Sequence, residues 1–124
     1  MIVGLGIEAV EPPRFERAVA RFGERIARRL FTDTERAYAA ARPRGAESLA
    51  VRFAAKCAAR RALRGGAIGW RDIEVVAAPG HPPELRLHGA AARRAAALQV
   101  ARAALTLTHD RSACVAHVVL ERDP

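Results

Sequence analysis

The segment from residue 52 to residue 64 concentrates side chains that can bind phosphate. Arg52, Lys56 and Arg60 recur every four residues, and Arg61 and Arg64 lie three apart beside them. Residues three or four apart share one face of a helix, so a helix here would carry adjacent rows of cations. Guanidinium and ammonium groups form strong hydrogen bonds with phosphate oxygens. The spacing therefore predicts a phosphate-binding face, and the alternative is a basic face that contacts only solvent.

Cys57 lies inside this basic segment and has two interpretations. A lone cysteine most simply behaves as a small buried hydrophobic residue. Alternatively, Lys56, Arg60 and Arg61 lower the pKa of its thiol, and His109 approaches it, which would make Cys57 a nucleophile for acyl thioesters. The spacing alone does not bring Cys57 and His109 together.

Glu8 is the acidic residue that directly follows a short apolar run. Residues 2–7 predict a buried strand, in which Gly4 and Gly6 allow a neighbouring backbone to approach closely. Glu8 at the end of this strand is either a site carboxylate or an ordinary surface acid. Glu11 is interpreted as an acid favoured by the dipole at the start of the next helix.

An arginine-rich helix is predicted to follow Pro12 and Pro13, which suit a first helical turn. Its apolar stripe is formed by Phe15, Val19, Phe22, Ile26 and Leu30. Its other face carries a row of arginines, of which four are candidates for contact with an acidic partner: Arg14, Arg17, Arg21 and Arg25.

The remaining pattern predicts an α+β domain that spans residues 1–124. A capping box at Thr32 and Glu35 predicts a short helix as far as Arg42. The further predicted elements are a long helix over 46–63 with a glycine cap at 65–66, strands at 73–77 and 84–87, a helix at 90–99, and strands at 103–108 and 113–120.

The composition restricts the function. The formal charge is +8, with one lysine among 21 basic residues, so an acidic partner is expected. Aromatic residues make up only 5% and are not interleaved with a basic run, which argues against nucleic acid as the partner.

There is no apolar run of about 20 residues, so no membrane span is expected. Cys57 and Cys114 form no disulfide framework, which favours a cytoplasmic location.

Three segments together resemble the holo-acyl-carrier-protein synthase family of small 4'-phosphopantetheinyl transferases. They are GIEAVE at 6–11, RFAAKCAARRALRGG at 52–66 and LTLTHD at 105–110, supported by LFTDTE at 30–35 and GWRDIEV at 69–75. The resemblance implies the small transferase fold, an antiparallel sheet packed with a long helix, and a homotrimer with sites between subunits. It also implies a reaction in which a serine of an acyl carrier protein attacks the β-phosphate of coenzyme A and releases 3',5'-adenosine diphosphate.

The resemblance also assigns roles to residues of this chain. The implied catalytic positions are Glu8, Cys57, Arg61 and His109. The implied contacts with coenzyme A are Arg52, Lys56, Arg60, Arg61, Gly65, Gly66 and His109. Glu8 is the implied metal ligand, because cleavage of a diphosphate calls for a divalent cation held by oxygen.

This chain departs from the family pattern at the implied metal site. Glu8 stands where the family has aspartate, Cys57 where it has glutamate, Arg61 where it has lysine, and Arg64 with Gly65 where it has glycine and threonine. A thiol is a soft ligand that matches Mg²⁺ poorly, so Mg²⁺ binding is expected to be weak or absent. Two alternatives to transfer stay open: a homologue that acts on carrier-bound acyl chains through Cys57 and His109, and a carrier-binding protein without catalysis.

Overall fold

The structure is a computed structural model that describes residues 1–65 and 67–124. Its elements, in chain order, are β1 (Ile2–Val10), α1 (Pro12–Phe22), α2 (Glu24–Leu30), α3 (Asp33–Ala40), α4 (Gly45–Leu63), a 3₁₀ turn (Trp70–Asp72), β2 (Ile73–Val76), β3 (Glu84–Leu87), α5 (Gly89–Ala97), β4 (Arg102–His109) and β5 (Cys114–Glu121).

The strands form two antiparallel sheets. One has the order β1-β5-β4, and the other is the β2-β3 hairpin. In the larger sheet Glu8 pairs with Ala116 of β5, which pairs in turn with Leu107 of β4. The long helix α4 packs on one face of this sheet. The predicted α+β class, with an antiparallel sheet packed against a long helix, is confirmed.

Small residues allow α4 to lie directly on β1. A Cβ atom added at Gly4 would overlap the carbonyl oxygen of Ala62, and one added at Gly6 would overlap that of Ala58. The facing side of α4 is alanine-rich, and both of these alanines are fully buried. The glycines of the first motif are therefore required by the close approach of helix and strand.

The opposite face of the larger sheet exposes apolar side chains. Leu5 is 67% exposed and Ile7 is 53% exposed. Leu5 pairs with Val119 of β5. Ile7 pairs with His117 of β5, which pairs in turn with Thr106 of β4. An exposed apolar sheet face of this kind is typical of a surface that another chain covers.

The predicted arginine-rich helix is divided in two, which corrects the sequence analysis. Gly23 has φ 74° and ψ −165°, so the backbone leaves the helical conformation between α1 and α2. Phe22, which the apolar stripe placed inside, is 63% exposed. Exposed arginines cover the outer side of both helices: Arg14, Arg17 and Arg21 on α1, and Arg25 on α2. The row of arginines on α1 therefore ends at Arg21, and Arg25 lies on a separate helix.

The end of α4 also differs from the prediction. Arg64, not Gly65, is the residue in the left-handed conformation that caps the helix, with φ 49°. Gly66, the other glycine expected there and in the coenzyme site, lies outside the described residues. In the part of the chain that the structure describes, no helix has both the length and the apolarity needed to cross a bilayer.

Substitution of Gly6 tests the contact between β1 and α4. Gly6→Ala should destabilise the fold by about 3 kcal/mol or more, because its methyl group would overlap a backbone carbonyl that cannot rotate away. Gly69→Ala is the matched control, since Gly69 has φ −70° and an added Cβ would meet only ordinary contacts with Asp72. Urea unfolding measures both. A Gly6→Ala midpoint equal to that of the parent would contradict this packing.

Candidate functional site

A cleft beside the carboxyl half of α4 brings together five of the site residues that the sequence predicted. We call it the Glu8 cleft; it has a volume of about 340 Å³ and is lined by Glu8, Cys57, Arg60, Arg61, Gly65, Ile68 and Trp70. Strand β1 supplies Glu8, and α4 supplies Cys57 and both arginines. The volume is within the range of small-molecule sites.

Arg61 bridges the strand and the helix at this cleft. Its Nη2 atom lies 3.0 Å from Oε2 of Glu8, and its Nη1 atom donates a hydrogen bond of 3.0 Å to the carbonyl oxygen of Ile7. Arginine side chains on a helix lean toward its amino terminus, which brings Arg61 back to this level of β1. The side chain of Arg61 is 61% exposed, so the rest of the guanidinium group faces the cleft opening.

The Cys57 thiol favours its protonated form, which supports the interpretation of a buried cysteine over the alternative of a lowered pKa. Burial raises the pKa of Cys57 to about 11, and the Glu8 carboxylate adds to this effect. Arg61 and Arg60 oppose the shift but do not overcome it. Lys56 does not contribute to activation of the thiol, because it pairs with Glu35 in the interior.

The donor set of the Glu8 cleft does not fit Mg²⁺. Mg²⁺ prefers hard oxygen ligands in octahedral geometry, whereas this cleft offers one carboxylate and one protonated thiol. One oxygen of that carboxylate is already paired with Arg61. Within residues 1–65 and 67–124, no three His, Cys, Asp or Glu side chains converge on a common point.

A second, larger cleft lies beside the amino-terminal half of α4. We call it the Tyr38 cleft; its volume is about 660 Å³, and its polar lining includes Tyr38, Arg42, Arg44, Glu47, Arg52, His81 and His109. The guanidinium carbon of Arg42 lies 3.8 Å from the centroid of the Tyr38 ring, and that of Arg52 lies 4.2 Å from it. The aromatic ring therefore holds two cations close together.

Arg52 and His109 are both held at this cleft by partners on α4. Arg52 is only 6% exposed, and its Nη1 atom donates a 2.7 Å hydrogen bond to Oγ of Ser48. Its buried Nε atom has no hydrogen-bond partner among the described residues. Nδ1 of His109 lies 3.3 Å from Oε1 of Glu47. The cleft thus contains an arginine whose hydrogen-bonding capacity is incompletely used, as expected where an anion binds.

Lys56 does not belong to either cleft, although the spacing placed it on the phosphate-binding face. It is fully buried, and its Nζ atom lies 2.7 Å from Oε1 of Glu35. Nζ also donates hydrogen bonds to the carbonyl oxygens of Trp70, at 3.0 Å, and Ile73. Burial lowers the pKa of Lys56, and Glu35 opposes that shift. The prediction that Lys56 contacts coenzyme A is therefore wrong, because its side chain points into the core while Arg52 and Arg60 line the clefts.

The two clefts lie beside opposite halves of α4. Glu8 lies on β1 and His109 on β4, the two edge strands of the sheet, with β5 between them. This spacing puts their backbones roughly 10 Å apart across the sheet. Among residues 1–65 and 67–124, none lines both clefts. The thiol of Cys57 and the imidazole of His109 therefore belong to different clefts of the chain.

Several cleft residues were not identified from the sequence. Trp70 is the only tryptophan, and its ring lies 4.2 Å from the guanidinium carbon of Arg60. Tyr38 and Arg42 are four residues apart, a spacing that allows contact across one helical turn. The contact between these two side chains could have been predicted from that spacing. Trp70 lies in the GWRDIEV segment, which supported the resemblance without indicating a site role, and His81 lies between β2 and β3, where the sequence pattern did not indicate its position.

Alkylation with iodoacetamide tests the state of the Cys57 thiol. At pH 8 we expect Cys57 to react roughly a hundredfold more slowly than free cysteine, because few of its molecules are thiolate there. The rate should rise as the pH approaches the pKa of about 11, since only the thiolate reacts. Peptide mass spectrometry separates Cys57 from Cys114, and Cys57→Ser provides the blank. A rate that levels off between pH 7 and 8 would instead indicate an activated nucleophile.

Comparisons with known proteins agree with this architecture. The family model described as "4'-phosphopantetheinyl transferase superfamily" matches residues 4–116. A holo-[acyl-carrier-protein] synthase of Koribacter versatilis is 42% identical over 98% of this chain and 99% of its own length. The crystal structure of holo-[acyl-carrier-protein] synthase from Neisseria meningitidis superposes with a TM-score of 0.88 at 28% identity, over 98% of this chain and 100% of that one.

A synthase of Bacillus anthracis, solved in complex with CoA (3',5'-ADP), is also similar. Its TM-score is 0.79 at 32% identity, and the match covers 99% of both chains. These relatives span the complete α4 segment and both strands that flank the clefts. With this fold and with nearly full-length similarity, the chain belongs to the 4'-phosphopantetheinyl transferase superfamily.

Proposed function

We propose that this protein transfers 4'-phosphopantetheine from coenzyme A to a serine of an acyl carrier protein, at a rate well below that of relatives with two metal-binding carboxylates. The serine oxygen forms a bond to the β-phosphorus of coenzyme A. The bond from that phosphorus to the bridging oxygen breaks, its electron pair leaves with 3',5'-adenosine diphosphate, and the serine proton passes to solvent. Two unpaired cysteines suit a reducing, cytoplasmic setting for this reaction.

The observation that carries this proposal is the pair of cation-lined clefts beside the two halves of α4. Coenzyme A has two separated anionic groups, a diphosphate and a 3'-phosphate. Arg60 and Arg61 line the Glu8 cleft, and Arg42 and Arg52 line the Tyr38 cleft. We assign the diphosphate to the Glu8 cleft and the 3'-phosphate to the Tyr38 cleft, where His109 adds a further donor. Gly65, at the rim of the Glu8 cleft, leaves room for a bulky ligand.

We further propose that the complete site forms between subunits of a homotrimer. Within one chain the two clefts lie beside opposite halves of α4, and no described residue lines both. The exposed face of the larger sheet, around Leu5 and Ile7, offers an uncharged surface on an otherwise strongly basic chain. Association through this face avoids charge repulsion between copies. It would place the Glu8 cleft of one copy near the Tyr38 cleft of its neighbour.

The slow rate follows from the altered metal site. A divalent cation would supply charge neutralisation at the diphosphate, and the residues at Glu8 and Cys57 suit it poorly. The thiol alternative, in which Cys57 and His109 act on acyl chains, has less support. The pKa of Cys57 is raised, and the two side chains line different clefts.

Transfer activity is tested by incubation with apo carrier protein, coenzyme A and Mg²⁺, with the carrier mass as the readout. We expect the phosphopantetheine increment to appear very slowly in the parent. Glu8→Asp, Cys57→Glu and Arg61→Lys together should increase the rate, whereas each alone should change it little, because groups that act as one catalytic unit are non-additive. Fast transfer by the parent would contradict the impaired metal site. A triple variant that binds carrier but stays inactive would contradict the proposed transfer.

Carrier binding is assigned to the arginines on α1 and α2. Arg14, Arg17, Arg21 and Arg25 are exposed and form a basic surface that complements an acidic carrier. The division at Gly23 separates Arg25 from the other three, so we expect α1 to provide most of the attraction.

Charge reversal tests this surface. The double variant Arg14→Glu and Arg21→Glu should slow association with the carrier by roughly tenfold at low salt, since steering by opposite charges sets the rate. The difference should shrink as the Debye length falls toward about 8 Å at physiological salt. Stopped-flow fluorescence gives the rates. The control is Arg86→Glu with Arg93→Glu, an equal change in net charge at exposed positions of β3 and α5. Equal slowing in both double variants would rule out a specific surface.

A further inference from the structure

The Glu8 cleft holds a guanidinium group against the only carboxylate that lines it. Arg61 contacts Oε2 of Glu8 and the carbonyl oxygen of Ile7, both at 3.0 Å. A metal ion bound to Glu8 would have to displace this pair. The neighbouring Cys57 offers sulfur, which is a poor ligand for a hard cation. The cleft therefore already contains a positive charge at the position where the family resemblance implies a metal.

We propose that Arg61, together with Arg60, replaces the divalent cation in this chain, so that the diphosphate of coenzyme A binds directly to guanidinium groups and does not require a metal ion. This inference rests on the proposed function, because it concerns the binding of the same substrate. In this proposal Arg61 binds the substrate, and this role replaces that of the lysine that the family has at the same position.

The charge and geometry of the two arginines suit this role. Two guanidinium groups carry the same formal charge as one divalent cation. Arginine has five N–H donors. Arg61 donates one hydrogen bond, from Nη1 to Ile7, and its Nη2 atom is in ion-pair contact with Glu8, so at least three donors remain for a ligand. Arg60 is held by its contact with the Trp70 ring, 4.2 Å from the centroid, so the edge of its guanidinium group remains available. Forked donors of this kind bind phosphate oxygens in pairs.

Glu8 has opposite roles in the two possible arrangements. If Glu8 is a metal ligand, its removal weakens the binding of coenzyme A in Mg²⁺. If Arg61 binds the diphosphate, Glu8 is a nearby negative charge that competes for the same guanidinium group. Glu8→Gln should then leave the affinity for coenzyme A unchanged or increase it, while the Ile7 carbonyl oxygen still orients Arg61.

Calorimetric titration with coenzyme A, in EDTA and separately in excess Mg²⁺, tests the proposal on the full chain. We expect Kd values that agree within about twofold between the two conditions. Arg61→Gln should raise Kd in EDTA by roughly tenfold to a hundredfold, the loss expected for hydrogen bonds to a charged group. Arg93→Gln, the same change at an exposed position on α5, should leave Kd near the parent value. Circular dichroism confirms that each variant is folded.

The outcomes separate this proposal from the proposed function. Binding that requires Mg²⁺, or that is lost in Glu8→Gln, would overturn the replacement of the metal while leaving transfer from coenzyme A intact. An Arg61→Gln variant that binds as the parent does would also overturn it. If coenzyme A binds under neither condition, the proposed function itself is wrong. Metal-independent binding that depends on Arg61 supports the inference, even if carrier transfer is too slow to observe.

Discussion

The contact between β1 and α4 determines where every side chain of the Glu8 cleft lies. Gly6 places the backbone of β1 against the carbonyl of Ala58, at a distance that no larger residue allows. Glu8 follows two residues later on the same face of the strand. It therefore meets Arg61, which leans back from the next turn of α4. The Glu8 to Arg61 pair is a consequence of this packing, since an exposed ion pair contributes too little free energy to impose it.

A second constraint fixes the other side of α4. The buried Lys56 ammonium is satisfied by Glu35 of α3 and by two carbonyl oxygens near β2. Glu35 also accepts hydrogen bonds from the backbone N–H groups of Thr32 and Val75. Removal of either charged partner would leave an uncompensated buried charge, at a cost of about 3–5 kcal/mol. The network ties α3, α4 and β2 together and thereby holds the wall of the Tyr38 cleft.

These two constraints give the basic residues of α4 different roles. Arg52 faces the Tyr38 ring, Lys56 faces the core, and Arg60 and Arg61 face the Glu8 cleft. A helix buried on most of its surface can direct cations to separate environments within three turns. The arginines that line a cleft remain available for anionic groups, whereas Lys56, which lines neither cleft, is part of the fold.

The sequence by itself determined the order of helices and strands, the capping box at Thr32 and Glu35, and the superfamily. These depend on local periodicity and on motifs that stay contiguous along the chain. Helix spacing alone could not separate Lys56 from Arg52 and Arg60, because four-residue spacing shows which residues share a face but not what that face meets. The division at Gly23 is a local change of backbone conformation, which the apolar periodicity does not register. The raised pKa of Cys57 and the separation of Cys57 from His109 were decided by the tertiary structure. Both depend on burial and on contacts between distant segments, and these exist only once α4 is packed on the sheet.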